Sequence, residues 1–120
     1  MQLEKAFKAD PGQTQSGFIL VGLHMRGGQP AKALAVAEAV AKRSPDSAVS
    51  FNLLGIAKNA VRDYGGARTA FERALKIDPG LTAARLNLAR LEIDRKEFQK
   101  ADQRLREILK ERDGDVETLL

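Results

Sequence analysis

The sequence predicts an all-α fold in which antiparallel helix–turn–helix units stack into a solenoid, and three observations predict it. Pro11, Pro45 and Pro79 are each 34 residues apart, and Ala33, Ala67 and Ala101 keep the same interval. A fixed period of this length marks a repeat architecture. Within a period, apolar residues recur at three- and four-residue spacing in two blocks, as two amphipathic helices require. The blocks are separated by "RGGQP", "RDYGG" and "IDPG", all rich in residues that interrupt helices.

Taken in order, residues 1–13 read as the second helix of a preceding unit, because "LEKAFKADPG" echoes "FERALKIDPG" at Phe71–Gly80. Residues 14–47 form a first unit. Phe18 and Gly22 lie 33 residues before Phe51 and Gly55, so the turn at "RGGQP" is expected to be one residue shorter than its counterpart. Residues 48–81 form the second unit, with Phe51, Leu54, Gly55 and Val61 along its first helix. Ala67, Ala70, Phe71, Ala74, Leu75 and Ile77 line its second helix. Pro79 closes the unit, since it lacks an amide hydrogen and forces Asp78 out of the helical region. Gly55, Ala67 and Ala74 are small, which lets the helices approach closely while Phe51 and Phe71 fill the neighbouring holes. Residues 82–115 form a third unit in which Asp113, opening "DGD", stands where the next proline would fall. The remaining "VETLL", residues 116–120, reads as the start of a further helix, so both ends are expected to be cut within units of a longer array.

Residue by residue, this pattern resembles the tetratricopeptide repeat. That family places an aromatic residue, Leu and Gly on the first helix of each unit, and Ala, an aromatic residue, Ala and Pro on the second. Phe51, Leu54, Gly55, Ala67, Phe71, Ala74 and Pro79 fall on those positions. The third unit supplies Leu88, Ala89, Phe98, Ala101 and Leu105, while Ile108 and Asp113 depart from the small residue and the proline. The resemblance implies a right-handed superhelix whose concave side is lined by the first helices. The phrases "NLLGIA", "GARTAFERALKIDPG" and "LNLARLEI" are also similar to repeat arrays of bacterial lipoproteins associated with exosortase and exopolysaccharide export. That narrower likeness would imply a periplasmic or outer-membrane-associated protein; without it the expectation is cytoplasmic.

Composition and motifs narrow the chemistry. The 120 residues contain no cysteine, which removes disulfides and thiolate metal sites. His24 is the single histidine, with no second imidazole to share a metal or activate a nucleophile. Gly27-Gly28 and Gly65-Gly66 lack the following Gly-Lys-Ser/Thr of a phosphate loop. Asp63, Glu92 and Asp94 are spread over turns and helix faces with no convergent pair for acid–base work. No apolar run is long enough to span a bilayer. No cofactor, metal or catalytic residue is therefore expected. The net charge of +4 raises nucleic acid as a partner. Against it, the bases Lys96, Lys100, Arg104, Arg106, Lys110 and Arg112 are interleaved with Glu97, Asp102, Glu107 and Glu111, which describes an ion-paired solvated face.

The concave side remains. The resemblance implies that it carries Val49, Asn52, Leu53, Ile56, Asn59 and Ala60 beside Ala83, Leu86, Asn87, Arg90, Ile93 and Asp94. Apolar side chains there could take a partner's anchors, the asparagines could bond its polar groups, and Arg90 could pair with an acid. Family members that clamp a chaperone's C-terminal carboxylate use cations and asparagines at positions occupied here by Phe18 and Gly22, or by Ile19 and Leu23 in the register shifted by one, and by Leu53, Ala83 and Asn87. The cations are missing, which disfavours that activity. The expectation is a non-enzymatic scaffold binding a protein or peptide segment, such as an amphipathic one, through Val49, Asn52, Ile56, Asn59, Leu86, Asn87, Arg90 and Ile93. The alternative is an assembly module that packs on its own array or on another copy, with weak self-association through its ends.

Overall fold

A computed structural model of the protein describes the backbone of residues 14–119 and the side chains of residues 15–111. The described residues form six helices and no strand: α1 (Thr14–Arg26), α2 (Pro30–Arg43), α3 (Ala48–Ala60), α4 (Tyr64–Ile77), α5 (Thr82–Asp94) and α6 (Phe98–Leu119). Each helix packs mainly on its neighbours in the chain, the contact pattern of a stacked repeat. In addition α1 meets α3 and α3 meets α5, so the first helices of successive pairs lie side by side.

The turn inside each pair is set by backbone hydrogen bonding. Gly28, Arg62 and Lys96 occupy left-handed conformations with φ of 70°, 66° and 63°. In each turn the next amide reaches back five residues: Gln29 donates to the His24 carbonyl at 2.8 Å, Asp63 to Lys58 at 2.9 Å and Glu97 to Glu92 at 2.7 Å. Gly28, Arg62 and Lys96 themselves donate to Met25, Asn59 and Ile93. These paired bonds satisfy the carbonyls that the helix end would otherwise leave open.

Local chemistry fixes the other boundaries. Pro30 begins α2, where a missing amide hydrogen costs nothing. The Ser47 hydroxyl accepts from the Ser50 amide at 3.2 Å and caps α3, and the Asp63 carboxylate accepts from the Gly66 amide at 3.0 Å and caps α4. Beyond α4, Asp78 is extended and its carboxylate receives the Gly80 amide at 3.1 Å, so the chain turns at Pro79.

The core forms three connected clusters. Leu20, Val21, Val36, Val40, Leu53 and Ala57 join α1, α2 and α3. Phe71, Leu88 and Leu91 join α4 to α5 around Ala67, and Ala48, Ala74 and Ala84 bring α3, α4 and α5 together. The Phe71 ring lies directly over Gly55, so closely that a Cβ at residue 55 would overlap it. Burying that ring contributes about 1.5–3 kcal/mol, and the glycine makes the burial possible.

The structure corrects two expectations and adds one observation. The "RGGQP" turn is not shortened: three residues separate α1 from α2, as they separate α3 from α4 and α5 from α6. Buried Val21 therefore takes the place of Gly55, while Gly22 is exposed and Phe18 corresponds to Asn52. The phase is fixed by the turn's hydrogen bonds, whereas the likeness of Phe18 and Gly22 to the motif is one residue out of register. Second, α6 runs unbroken from Phe98 to Leu119, and no new helix starts at residue 116. "DGD" has no proline to delete an amide or clash with the preceding turn, and one glycine costs a helix only about 1 kcal/mol. In addition, Phe98 is 59% exposed. Its counterpart Tyr64 is covered by the Arg95 guanidinium of the following turn, 5.0 Å from the ring centroid. Nothing among the described residues follows Phe98 in that way. The segment 1–13, read as a preceding helix, lies outside the described residues.

Candidate functional site

The first helices expose a row of large apolar side chains on the side where they lie together. Val49 on α3 is 41% exposed, and Leu86 and Ile93 on α5 are 45% and 44% exposed. Ile19, Leu23 and Met25 are exposed on α1. These helices bury their other faces through Leu20, Leu53, Leu88 and Leu91, so the exposed row is what remains after the core is filled. Isolated exposed apolar residues are normal, and larger exposed apolar patches mark interaction surfaces.

The sequence-selected residues are only partly free. The Asn87 Nδ2 donates to Asn52 Oδ1 at 3.0 Å, which joins α5 to α3. Asn52 is only 7% exposed, and Asn87 and Asn59 are half-buried. The amide pair leaves Asn52 Nδ2 and Asn87 Oδ1 available as one donor and one acceptor. Ile56 is half-buried against the Phe71 cluster. Leu53 belongs to the core and offers nothing to a ligand. Arg90, Ala83 and Asp94 are exposed on α5, and Arg90 has no ion pair among the described residues.

A second polar assembly escaped the sequence reading. Glu92 is fully buried. Its carboxylate receives Arg104 Nε at 2.9 Å and Arg104 Nη2 at 3.2 Å, and Arg68 Nη1 stands 3.8 Å away. Arg68 also bonds Glu97, which pairs with Lys100 at 3.0 Å. The hydrogen bond from Lys100, helped by the charge of Arg68, holds the Glu97 carboxyl below the ordinary carboxylate range. Nearby, Arg85 donates to Glu111 at 2.7 Å, which lowers the Glu111 carboxyl and raises the Arg85 guanidinium. A buried carboxylate forked by an arginine satisfies its own desolvation and fixes the angle between helices. It presents no unpaired group to a substrate.

Among the described residues, no cluster of His, Cys, Asp or Glu is placed to hold a metal. His24 is buried at the end of α1. No described helix is long and apolar enough to cross a membrane.

The comparisons with known proteins agree with this geometry. MamA from Desulfovibrio magneticus RS-1 is similar at 22% identity and a TM-score of 0.79, over 94% of this chain and 64% of that one. The chain thus spans less than two thirds of that relative. The TPR2B domain of yeast Sti1, solved as a complex with pHsp70, is similar at 19% identity and a TM-score of 0.69, over 76% of this chain and 73% of that one. A chain of the Naa15/Naa10 structure bound to HypK-THB shows 21% identity and a TM-score of 0.71, over 93% of this chain and 17% of that one. At these identities the likeness concerns the fold. No curated protein sequence matches the chain. Family profiles described as tetratricopeptide repeat match residues 20–82 and residues 60–120, each more than half of the length. The chain belongs to the tetratricopeptide repeat family.

Proposed function

We propose that the chain is a non-catalytic interaction scaffold that holds a segment of a partner protein along the inner face of its first helices. One observation carries this reading: Val49, Leu86 and Ile93 stay exposed on the two first helices that the Asn52–Asn87 pair joins. A partner segment would set apolar side chains against Ile56, Leu86 and Ile93, and its backbone would meet the free donor and acceptor of the amide pair. Arg90 would favour an acid at the edge of the segment. The Sti1 domains, solved in complexes with pHsp70 and pHSP90, support a protein ligand in general terms. The cations of a carboxylate clamp are absent here, so the ligand would be held by its apolar side chains.

Selection from a displayed peptide library tests the reading. Peptides with paired apolar anchors should be enriched, and Leu86→Asp with Ile93→Asp should weaken their binding by about 2 kcal/mol or more, as loss of interface anchors does. Both residues are exposed, so melting should barely change. Equal binding to wild type and the double variant would remove the inner face as the site. The second reading, self-assembly, is favoured by Leu109, which is 57% exposed although its counterpart Leu75 packs under α5. Concentration-dependent size that disappears in Leu109→Lys, with no peptide enriched, would select it.

A further inference from the structure

Behind α3, on the opposite flank from the inner face, lies a hollow of about 300 Å³ between α3 and α4. Phe51, Leu54 and Ala70 form its apolar floor, and Lys58 and Arg73 stand at its edge. At 3.6 residues per turn, the stripe Phe51–Leu54–Lys58 is roughly 160° around the helix from Val49, Asn52 and Ile56. The hollow is therefore separate from the groove described above.

The third unit keeps a hollow of about 260 Å³ at the same place, lined by Lys100, Gln103, Arg104 and Glu107, but with a different chemistry. One period on, Lys58 becomes Glu92, Ala70 becomes Arg104 and Gly66 becomes Lys100. There the two helices are tied by the Glu92–Arg104 fork, and Lys100 is paired with Glu97. In the second unit alanine stands in place of Arg104, so the wall is apolar there, and the charged residue on the floor side is a base with no internal acid facing it. Lys58 is half-buried, with its stem against Gly66, where a Cβ would come within 2.9 Å of Lys58 Cδ. Neither Lys58 nor Arg73 has an ion pair among the described residues. Arg73 instead lies over the Phe51 ring, 5.5 Å from its centroid. The neighbouring Asp63 carboxylate is engaged by the Gly66 amide. An apolar floor flanked by two unpaired cations lacks one component, an acid next to an apolar group.

We infer that this hollow is a second docking site that takes an acidic side chain and an adjacent apolar one from a partner peptide. The apolar group fills the space over Phe51, Leu54 and Ala70. The carboxylate sits between Lys58 and Arg73, supplying from outside the counter-charge that Glu92 supplies internally one unit later. Half-burial of Lys58 matters, since a cation already stripped of part of its water interacts more strongly with an incoming carboxylate than a fully exposed lysine does.

The test is an amide-resolved NMR titration of the chain with N-acetyl-Phe-Glu-amide and, separately, with N-acetyl-Phe-Gln-amide. The glutamate peptide should shift the amides of Gly66, Thr69, Ala70 and Arg73, and the glutamine peptide should bind about tenfold more weakly, as loss of a charge-assisted pair implies. Lys58→Met keeps the aliphatic stem against Gly66 and should erase the preference. Arg73→Gln, at an exposed position, should reduce it. Equal affinity for the two peptides, a preference that survives Lys58→Met, or shifts confined to Val49, Leu86 and Ile93 would each overturn the proposal. Leu86→Asp should leave the titration unchanged, so failure of this site and failure of the inner-face reading are told apart.

Discussion

The joint between the first and second units and the joint between the second and third use one backbone plan and two chemistries. In the first joint α1 and α2 meet α3 through Leu20, Val36, Val40, Leu53 and Ala57, with Leu34 and Leu54 at its margin. In the second, the residues one period later are Arg68 for Leu34, Arg85 for Phe51, Glu92 for Lys58 and Arg104 for Ala70. Apolar contacts at Leu88, Leu91 and Ala84 remain there, but the outer part of the joint is ionic. An apolar joint gains stability in proportion to the area it removes from water and tolerates small slips. An ionic joint gains little net energy, because desolvation offsets attraction, but it imposes direction. Stacking can thus be maintained by area in one place and by geometry in another.

Three measurements would break or sharpen this contrast. The largest effect is expected from Phe71→Ala. It empties the space against Gly55 and Leu88 and should cost about 3–5 kcal/mol, read as a lower midpoint in urea with little dependence on salt. Glu92→Gln comes next. It keeps the shape and removes the charge facing Arg104 and Arg68, whose side chains are about a quarter exposed and can recover some water. A loss of about 1.5–3 kcal/mol is expected, and a double-mutant cycle with Arg104→Met should assign most of it to the pair. If Glu92→Gln costs no more than the surface change Lys100→Ala, the second joint is as apolar in energy as the first.

The smallest effect is the response to acid. Glu97 and Glu111 have carboxyls lowered in the folded state. Their contribution is present above the ordinary carboxylate range and is lost as pH falls through that range to the lowered values. Both are exposed enough for the contribution to be modest. Hydrogen exchange of α5 and α6 should therefore quicken on acidification before that of α1 and α2.

Much of the plan was legible in the sequence because Pro45, Pro79 and the small residues Gly55, Ala67 and Ala74 each answer to one local physical demand. The first unit misled because Phe18 and Gly22 imitate the motif one residue late, and composition does not reveal which of two phases a turn will enforce. The Glu92–Arg104 fork was hidden for a different reason. On a helix with many charges, nothing in spacing alone distinguishes an acid that faces inward from one that faces water. The Asn52–Asn87 pair lies 35 residues apart, one more than the period, because neighbouring first helices interlock slightly out of step. A search for exact repeats passes over it. The groove row of Val49, Leu86 and Ile93 could be placed from the resemblance, but its freedom from the core could be judged only once Leu53, Leu88 and Leu91 were seen to fill the interior.

The three turns around Gly28, Arg62 and Lys96 share one hydrogen-bond pattern although their sequences, "GGQ", "VRD" and "RKE", share no identical position. Such a turn behaves as a hinge pin of standard gauge. A recombination event that adds or removes one whole unit rejoins helices that already meet at the right angle. The pairing of helices within a unit is therefore insensitive to changes in array length, while point changes at Lys58, Arg90 or Glu92 alter what each unit carries. Selection is left to act on length and on surface chemistry as two independent traits.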